Sequence, residues 1–427
     1  MAGPDLTTSA GEVRLTPAAV RLAESWRDFR RLAWYWHALA LALLIGFLAF
    51  AVRADLVSPR PTIDEVRYEE AFADFALGIS PYEEPGYYYP PAFAFIGAFC
   101  TRELGVSGAR MLFRGLNLLG AAMTCWIAAA WWRNRSPNFA AQLGSRFLVA
   151  CLLMLGPPGV RLGFEAGNFS LTAAALIVGA LHAAFSWPLA AGLILGLSLI
   201  TKPLAAIAVP VVAGAALARK GERRIARRTI FVVGFIVVAT VVTLPFHREM
   251  LALSVSPGTL NGTISLLRVS RLLHFEVHQP VLLILLSPLA LFAGYRFAND
   301  RIALLSISLS LIMLTAPAIW PHTATVFFPL PVMAVSLARE RYALRCAGES
   351  VGRSSAFELA QVAALATAVL FMNGGAFDSF PPVAQIVLLT AQLAAPLALG
   401  AYVLYYSTFA RASARAGSRL RRETAAS

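Results

Sequence analysis

Charge is what this sequence has least of. Asp, Glu, Lys and Arg make up only 14% of its 427 residues, against about a quarter in a soluble domain. A water-soluble globule of this size does not fit that composition. Cysteine is scarce too: Cys100, Cys125, Cys151 and Cys346 stand far apart with no Cys-x-x-Cys spacing, which argues against a disulfide framework or a thiolate metal centre. Internal repeats and low-complexity tracts are missing, so neither a solenoid nor a compositional linker is expected. A cleavable signal peptide is not expected either, because charged residues continue to Arg31 and the apolar stretch that follows is long enough to span a bilayer.

Hydrophobic residues take the place of charge, at 58%. Apolar runs of about 20 residues recur along the chain, each able to cross a hydrocarbon core of roughly 30 Å as a helix. Lipid offers no partner for backbone polar groups, so such runs must be helical. The expected fold class is an all-α polytopic membrane protein. About twelve spans fit, near 33–53, 108–132, 145–160, 168–186, 188–201, 204–218, 229–246, 279–297, 302–318, 323–338, 356–373 and 382–407. The net charge of +13 sits in short loops and tails, as at Arg219-Lys220-Gly221-Glu222-Arg223-Arg224. That is the positive-inside pattern of a membrane protein, and no nucleic-acid partner is expected. Parity then puts the basic clusters at 133–146, 219–228, 339–345 and 411–422 on the cytoplasmic side.

The chain thus divides into a cytoplasmic tail (1–32) carrying an amphipathic helix, a transmembrane domain (33–407) and a basic cytoplasmic tail (408–427). Two outer segments are too long to be turns. The first, 54–107, is acidic; the second, 247–278, is comparatively basic. Long segments with an ordered composition are usually functional.

Thr62-Ile63-Asp64-Glu65 reads as a capping box that opens a helix running to Leu77 and stopping at Gly78. On that helix Asp64, Tyr68, Ala71 and Phe75 share a face. A carboxylate among aromatic and small residues, partly desolvated, suits a general base; the competing role is favourable charge at a helix N-terminus. Tyr87-Tyr88-Tyr89-Pro90-Pro91 leads into a short apolar helix, surface-lying or re-entrant. Its tyrosines suit headgroup anchoring better than sugar stacking. Lys202 lies deep in apolar sequence and must pair or snorkel; at an outer helix end it can meet a phosphate. His322 follows Trp320-Pro321 at another outer end, where a lone His is more often structural.

In this order the signals resemble glycosyltransferase family 87, the polyprenyl-phosphate-mannose-dependent α-mannosyltransferases of the GT-C fold class. The matching features are Asp64-x-x-x-Tyr68, Gly78-x-x-Pro81-Tyr82, Tyr89-Pro90-Pro91, Gly167-Asn168, Lys202-Pro203, Leu260-Asn261-Gly262-Thr263-Ile264-Ser265 with Arg268 and Arg271, and Pro317-x-x-Trp320-x-His322. They cover roughly 33–407; Ser80 and Thr323 depart from the family pattern.

The resemblance implies a GT-C fold with juxtamembrane helices in the first outer loop and an active site on the extracytoplasmic face of the cell membrane. Asp64 would take the proton of an acceptor hydroxyl, and His322 would orient the acceptor or share that proton. Lys202, Arg268 and Arg271 would hold the donor phosphate, with Tyr68, Tyr89, Glu165, Asn168, Asn261 and Trp320 around sugar and acceptor. The implied partners are a polyprenyl-phosphate sugar, a glycolipid or glycan acceptor and membrane lipids. With no Asp-x-Asp pair and no His/Asp ligand cluster in the sequence, neither a cofactor nor a metal is expected. A polyprenyl-phosphate pentose such as arabinose would serve the same residues. A lipid or glycan transporter would also explain the spans, but it calls for buried charge near mid-membrane, whereas the ionisable residues gather at outer helix ends.

Overall fold

The computed structural model describes residues 61–83, 87, 89–132, 139–184, 187–202, 204, 206–218, 228, 230, 232–234, 236–237, 240, 244–249, 263–275, 277, 279–316, 318–346 and 356–426. Among these the chain is helical, and its only β pairing is an isolated antiparallel bridge between Ile264 and Ile319.

Helix α1 (Ile63–Ala76) begins and ends as its sequence predicts. The Thr62 hydroxyl accepts from the Glu65 N–H, and the Glu65 carboxylate accepts from the Thr62 N–H at 2.8 Å, closing the capping box. At the other end the Ile79 N–H reaches the Asp74 carbonyl (2.9 Å) and the Gly78 N–H the Phe75 carbonyl (3.1 Å). This Schellman arrangement requires the positive φ that Gly78 adopts (77°). The buried face keeps Tyr68 and Ala71 of the expected one but not Asp64 or Phe75. Glu65, Tyr68, Ala71 and Phe72 point inward, so the face is turned by about one residue and Asp64 lies at its edge, its side chain 19% exposed.

Helix α2 (Pro91–Ala130) starts with Pro at its first turn, where the missing N–H costs nothing. The expected short helix after Pro91 instead continues, across a break at Gly105 (φ 71°, ψ 164°), into the expected span at 108–132. The span expected at 145–160 is also redrawn. Helix α3 (Phe139–Leu155) stops before Pro157, and α4 (Pro158–Ala166) leaves at 53° to it, because proline cannot continue the hydrogen-bond ladder.

There follow α5 (Ser170–Ala183), α6 (Pro188–Thr201), α7 (Ala208–Ala218), α8 (Leu266–Leu272), α9 (Gln279–Arg296) and α10 (Arg301–Thr315). A 3-10 turn (Thr323–Phe327) then precedes α11 (Pro329–Cys346), α12 (Ala356–Leu370) and α13 (Pro382–Ala426). The span expected at 323–338 therefore opens with that tighter turn. The span expected at 33–53 and part of that at 229–246 lie outside the described residues.

By length and composition, three described helices can cross a membrane: Pro91–Ala130, Gln279–Arg296 and Pro382–Ser407, or four if α3 and α4 form one bent span. Several others are apolar but shorter, such as Ser170–Ala183 and Arg301–Thr315. On α9 the outward face is itself apolar, with Ile284 71%, Leu285 66% and Phe292 65% exposed, the reverse of a helix facing water. Its other side meets α7 at very short range. A Cβ on Gly214 would sit 2.0 Å from the Leu291 carbonyl oxygen, and one on Gly294 2.0 Å from that of Val211. Small residues that let two backbones touch are the packing device of helices in lipid.

The largest core joins α5, α6, α7 and α10 to α13. A separate aromatic core lies between α1, α2 and the start of α5, made of Tyr68, Phe72, Tyr82, Tyr87, Tyr89, Phe93 and Phe169. This corrects the role expected for the tyrosines. Tyr87 and Tyr89 are buried, 1% and 5% exposed, packed edge-on and tilted against their neighbours rather than standing at a headgroup surface.

Candidate functional site

Three segments far apart in sequence converge beside the aromatic core: the N-terminus of α1, the Gly167–Ser170 link between α4 and α5, and Lys202 just past α6. The link is pinned from both sides. The Thr62 hydroxyl donates to the Ala166 carbonyl (2.9 Å). Asn117 on α2 donates to the Asn168 carbonyl (3.0 Å) and accepts from the Thr172 hydroxyl (3.1 Å). Gly167 turns the chain with φ 66°, and a Cβ there would lie 2.1 Å from the Thr62 hydroxyl oxygen. The left-handed conformation and the close approach both demand glycine.

Asn168 stands at the centre. Its side-chain oxygen accepts from the Tyr89 hydroxyl (2.6 Å), from the Ser170 N–H (3.0 Å) and from the Ser170 hydroxyl. Its amide nitrogen donates to Asp64 Oδ2 at 2.8 Å. Tyr68 completes the cradle by donating to the Tyr89 hydroxyl (2.9 Å). Lys202 Nζ donates to the Ser170 hydroxyl (2.5 Å) and lies 5.1 Å from the centre of the Tyr89 ring, a cation–π distance. The Lys202 and Asp64 charges act on one another across this cradle. Among the described residues, Asp64 Oδ1 has only a long contact to Arg67, at 3.8 Å.

Beneath Asp64 lies an ion pair that its neighbours in sequence do not announce. Arg114, 5% exposed in the middle of α2, grips Glu65 with two bonds of 2.6 and 2.7 Å. Burial works to raise the Glu65 pKa, but the hydrogen bonds from Arg114 and Thr62 and the Arg114 charge outweigh it, holding the carboxyl below its ordinary value of 4.5. Glu65 is therefore more than a cap: it bolts α1 to α2 at the residue next to Asp64.

His322 comes close enough to Lys202 for the two to interact electrostatically. It is 7% exposed, its Nε2 has no hydrogen-bond partner among the described residues, and it stacks in parallel with Trp320 at 6.3 Å. Its turn packs on α4, where a Cβ on Gly159 would meet the Pro321 carbonyl oxygen at 2.3 Å. The Ile264–Ile319 bridge, with bonds of 2.8 and 3.2 Å, ties this turn to the second long segment and so to α8. Earlier in that segment the Glu249 carboxylate accepts from the Ser80 hydroxyl, and Phe246, just before it, packs edge-on against Phe75 at 6.1 Å. The two long segments singled out in the sequence thus meet.

The expected residues divide accordingly. Asp64, Tyr68, Tyr89, Asn168 and Lys202 share one hydrogen-bonded cradle, and His322 with Trp320 lies beside it. Arg268 and Arg271 sit on α8, where Arg268 donates to the Thr263 carbonyl (2.8 Å), to Asp378 (2.5 Å) and to Gln385 (3.2 Å). Those bonds tether α8 to α13, a structural task the sequence reading did not assign it. Glu165 pairs with Arg161 (2.7 Å) on the exposed side of α4, and no hydrogen bond joins it to the cradle. Asn261 lies outside the described residues. Ser170, Arg114 and Asn117 went unnoticed in the sequence. Arg114 and Asn117 carried a signal, being polar residues three apart on one face of an apolar run; Ser170 carried none.

Among the described residues no three His, Cys, Asp or Glu side chains gather as a metal site. No protein-family profile matches the chain, and no curated protein matches it.

Proposed function

We propose that this chain is a membrane glycosyltransferase of the GT-C type, with about twelve spans, that moves a sugar from a polyprenyl-phosphate carrier to an acceptor hydroxyl with inversion, at the outer face of the membrane. Mannose is the donor sugar that the family resemblance favours. The observation that carries the proposal is the cradle itself. One carboxylate and one ammonium group, drawn from segments over a hundred residues apart, are held on the same Asn168–Ser170–Tyr89 frame.

Direct displacement needs a base for the attacking hydroxyl and a cation for the departing phosphate. Asp64 Oδ1, the oxygen not engaged by Asn168, takes the acceptor proton as the acceptor oxygen bonds to the anomeric carbon. The bond from that carbon to the phosphate oxygen breaks, its electron pair leaves with the polyprenyl phosphate, and Lys202 balances the charge. General-base assistance contributes about 10²–10⁴-fold, and fixed charge and positioning supply the rest. His322, whose Nε2 has no hydrogen-bond partner among the described residues, would orient the acceptor or share its proton. Arg271 remains a phosphate candidate on α8, and Arg268 serves chiefly as the tether of that helix. A carrier tail gains about 0.8 kcal/mol per buried CH₂, so it stays in the bilayer and the enzyme must meet it there.

Purified protein incubated with polyprenyl-phosphate hexoses and pentoses and a set of lipid acceptors, read by mass spectrometry, tests this. Transfer of one sugar class by the wild type is the expected result. Lys202→Ala should raise the donor KM roughly tenfold or more, as loss of one charge-assisted contact does. Failure of every donor to be consumed would remove the transferase reading.

A further inference from the structure

The bonds between Lys202 and Asp64 all run in one direction. Lys202 Nζ donates to the Ser170 hydroxyl. That hydroxyl has a single proton, and it goes to the Asn168 side-chain oxygen. The Asn168 amide nitrogen then donates to Asp64 Oδ2. Two partners set the orientation of Asn168: a flipped amide would turn its nitrogen to the Ser170 N–H and its oxygen to the Asp64 carboxylate, losing both of those bonds. The Ser170 hydroxyl is equally committed, and the residue is 1% exposed at the first turn of α5. Aligned bonds of this kind polarise one another, most strongly where water is excluded.

We infer that Ser170 is a positioning residue which couples the cation to the carboxylate through Asn168, so that the states of the two ends depend on each other through bonds and not through space alone. The assignment rests on the transferase reading only for its purpose; the coupling itself is a property of the folded chain. An amide cannot pass a proton along its length without tautomerising, so the link conveys orientation and polarisation. The proton taken by Asp64 therefore does not travel along this link to the departing phosphate.

A thermal double-mutant cycle on the full chain in detergent tests the coupling without any substrate. Asp64→Asn, Lys202→Met and the double variant are compared in the wild-type background and again in a Ser170→Ala background. In the wild-type background the shift of the double variant should differ from the sum of the single shifts by about 2 °C or more. In the Ser170→Ala background that difference should fall to less than half. Ser170→Thr, which keeps a hydroxyl, should restore it, and serves as the second background if the alanine variant does not fold. An undiminished difference in Ser170→Ala would mean that charge attraction through space suffices, and would overturn the inference; so would additivity in the wild-type background. These readings stand whether or not sugar transfer is observed, so a failed transferase assay and a failed coupling are told apart.

Discussion

At the scale of single residues, the cradle separates two kinds of side chain: those that meet a substrate in the proposed reaction and those that hold them in place. Asp64 belongs to the first kind, with one oxygen tied to Asn168 and the other facing, among the described residues, only a long Arg67 contact. Asp64→Asn should therefore lower the transfer rate by about 10²–10⁴-fold while leaving expression and folding intact; an unaltered rate by mass spectrometry would take Asp64 out of the mechanism. Gly167 belongs to the second kind. Gly167→Ala combines a left-handed φ, which costs about 1–2 kcal/mol, with a Cβ placed 2.1 Å from the Thr62 hydroxyl oxygen. A lowered thermal midpoint should follow, together with weaker transfer, because the Thr62–Ala166 bond that seats α1 against the link is lost.

At the scale of helices, the decisive contact is the Glu65–Arg114 pair, because it joins α1 to α2 one residue from the proposed base. Removing Arg114 leaves the Glu65 carboxylate buried without its counter-charge, which costs about 3–5 kcal/mol. Arg114→Met should thus destabilise the chain strongly, and pairing it with Glu65→Gln should recover much of the loss in the same thermal scan. The pair also sets a pH dependence. The folded Glu65 carboxyl lies below its ordinary value of 4.5, so its contribution is fully present above that value. It is lost as pH falls from 4.5 through the folded pKa, where the unfolded chain binds the proton more readily. Glu65→Gln should flatten this part of the acid limb, measurable as thermal midpoint against pH. A second helix-scale contact, between α7 and α9, rests on Gly214 and Gly294 touching opposite backbones. Gly294→Leu should force those helices apart and reduce the yield of folded protein in size-exclusion chromatography.

At the scale of the whole molecule, composition and surface tell one story. Helices long and apolar enough to cross a bilayer, with apolar side chains on an outward face, should keep the chain in the membrane pellet through an alkaline carbonate wash. Release into the supernatant would contradict a spanning topology. The proposed chemistry draws its charge from Lys202 rather than from a metal, so transfer should persist in EDTA; strict dependence on added divalent cation would refute that mechanism.

Local regularities were legible from sequence because they depend on neighbours along the chain. The capping box at Thr62, the stop at Gly78 and the helix opening at Pro91 each involve residues within a turn or two, and the recurrent apolar runs dictated helices through backbone chemistry alone. Motif order brought Asp64, Asn168, Lys202 and His322 forward as candidates, though not their bonds. Only the tertiary structure decided that Glu65 turns inward while Asp64 stays at the edge, since that depends on Arg114 arriving from another helix. It also decided that Tyr89 is a buried strut, that Arg268 tethers α8, and that Ser170 stands between the two charges. Contacts between residues separated by tens to hundreds of positions are set by how helices pack, and no periodicity of 3.6 residues encodes them.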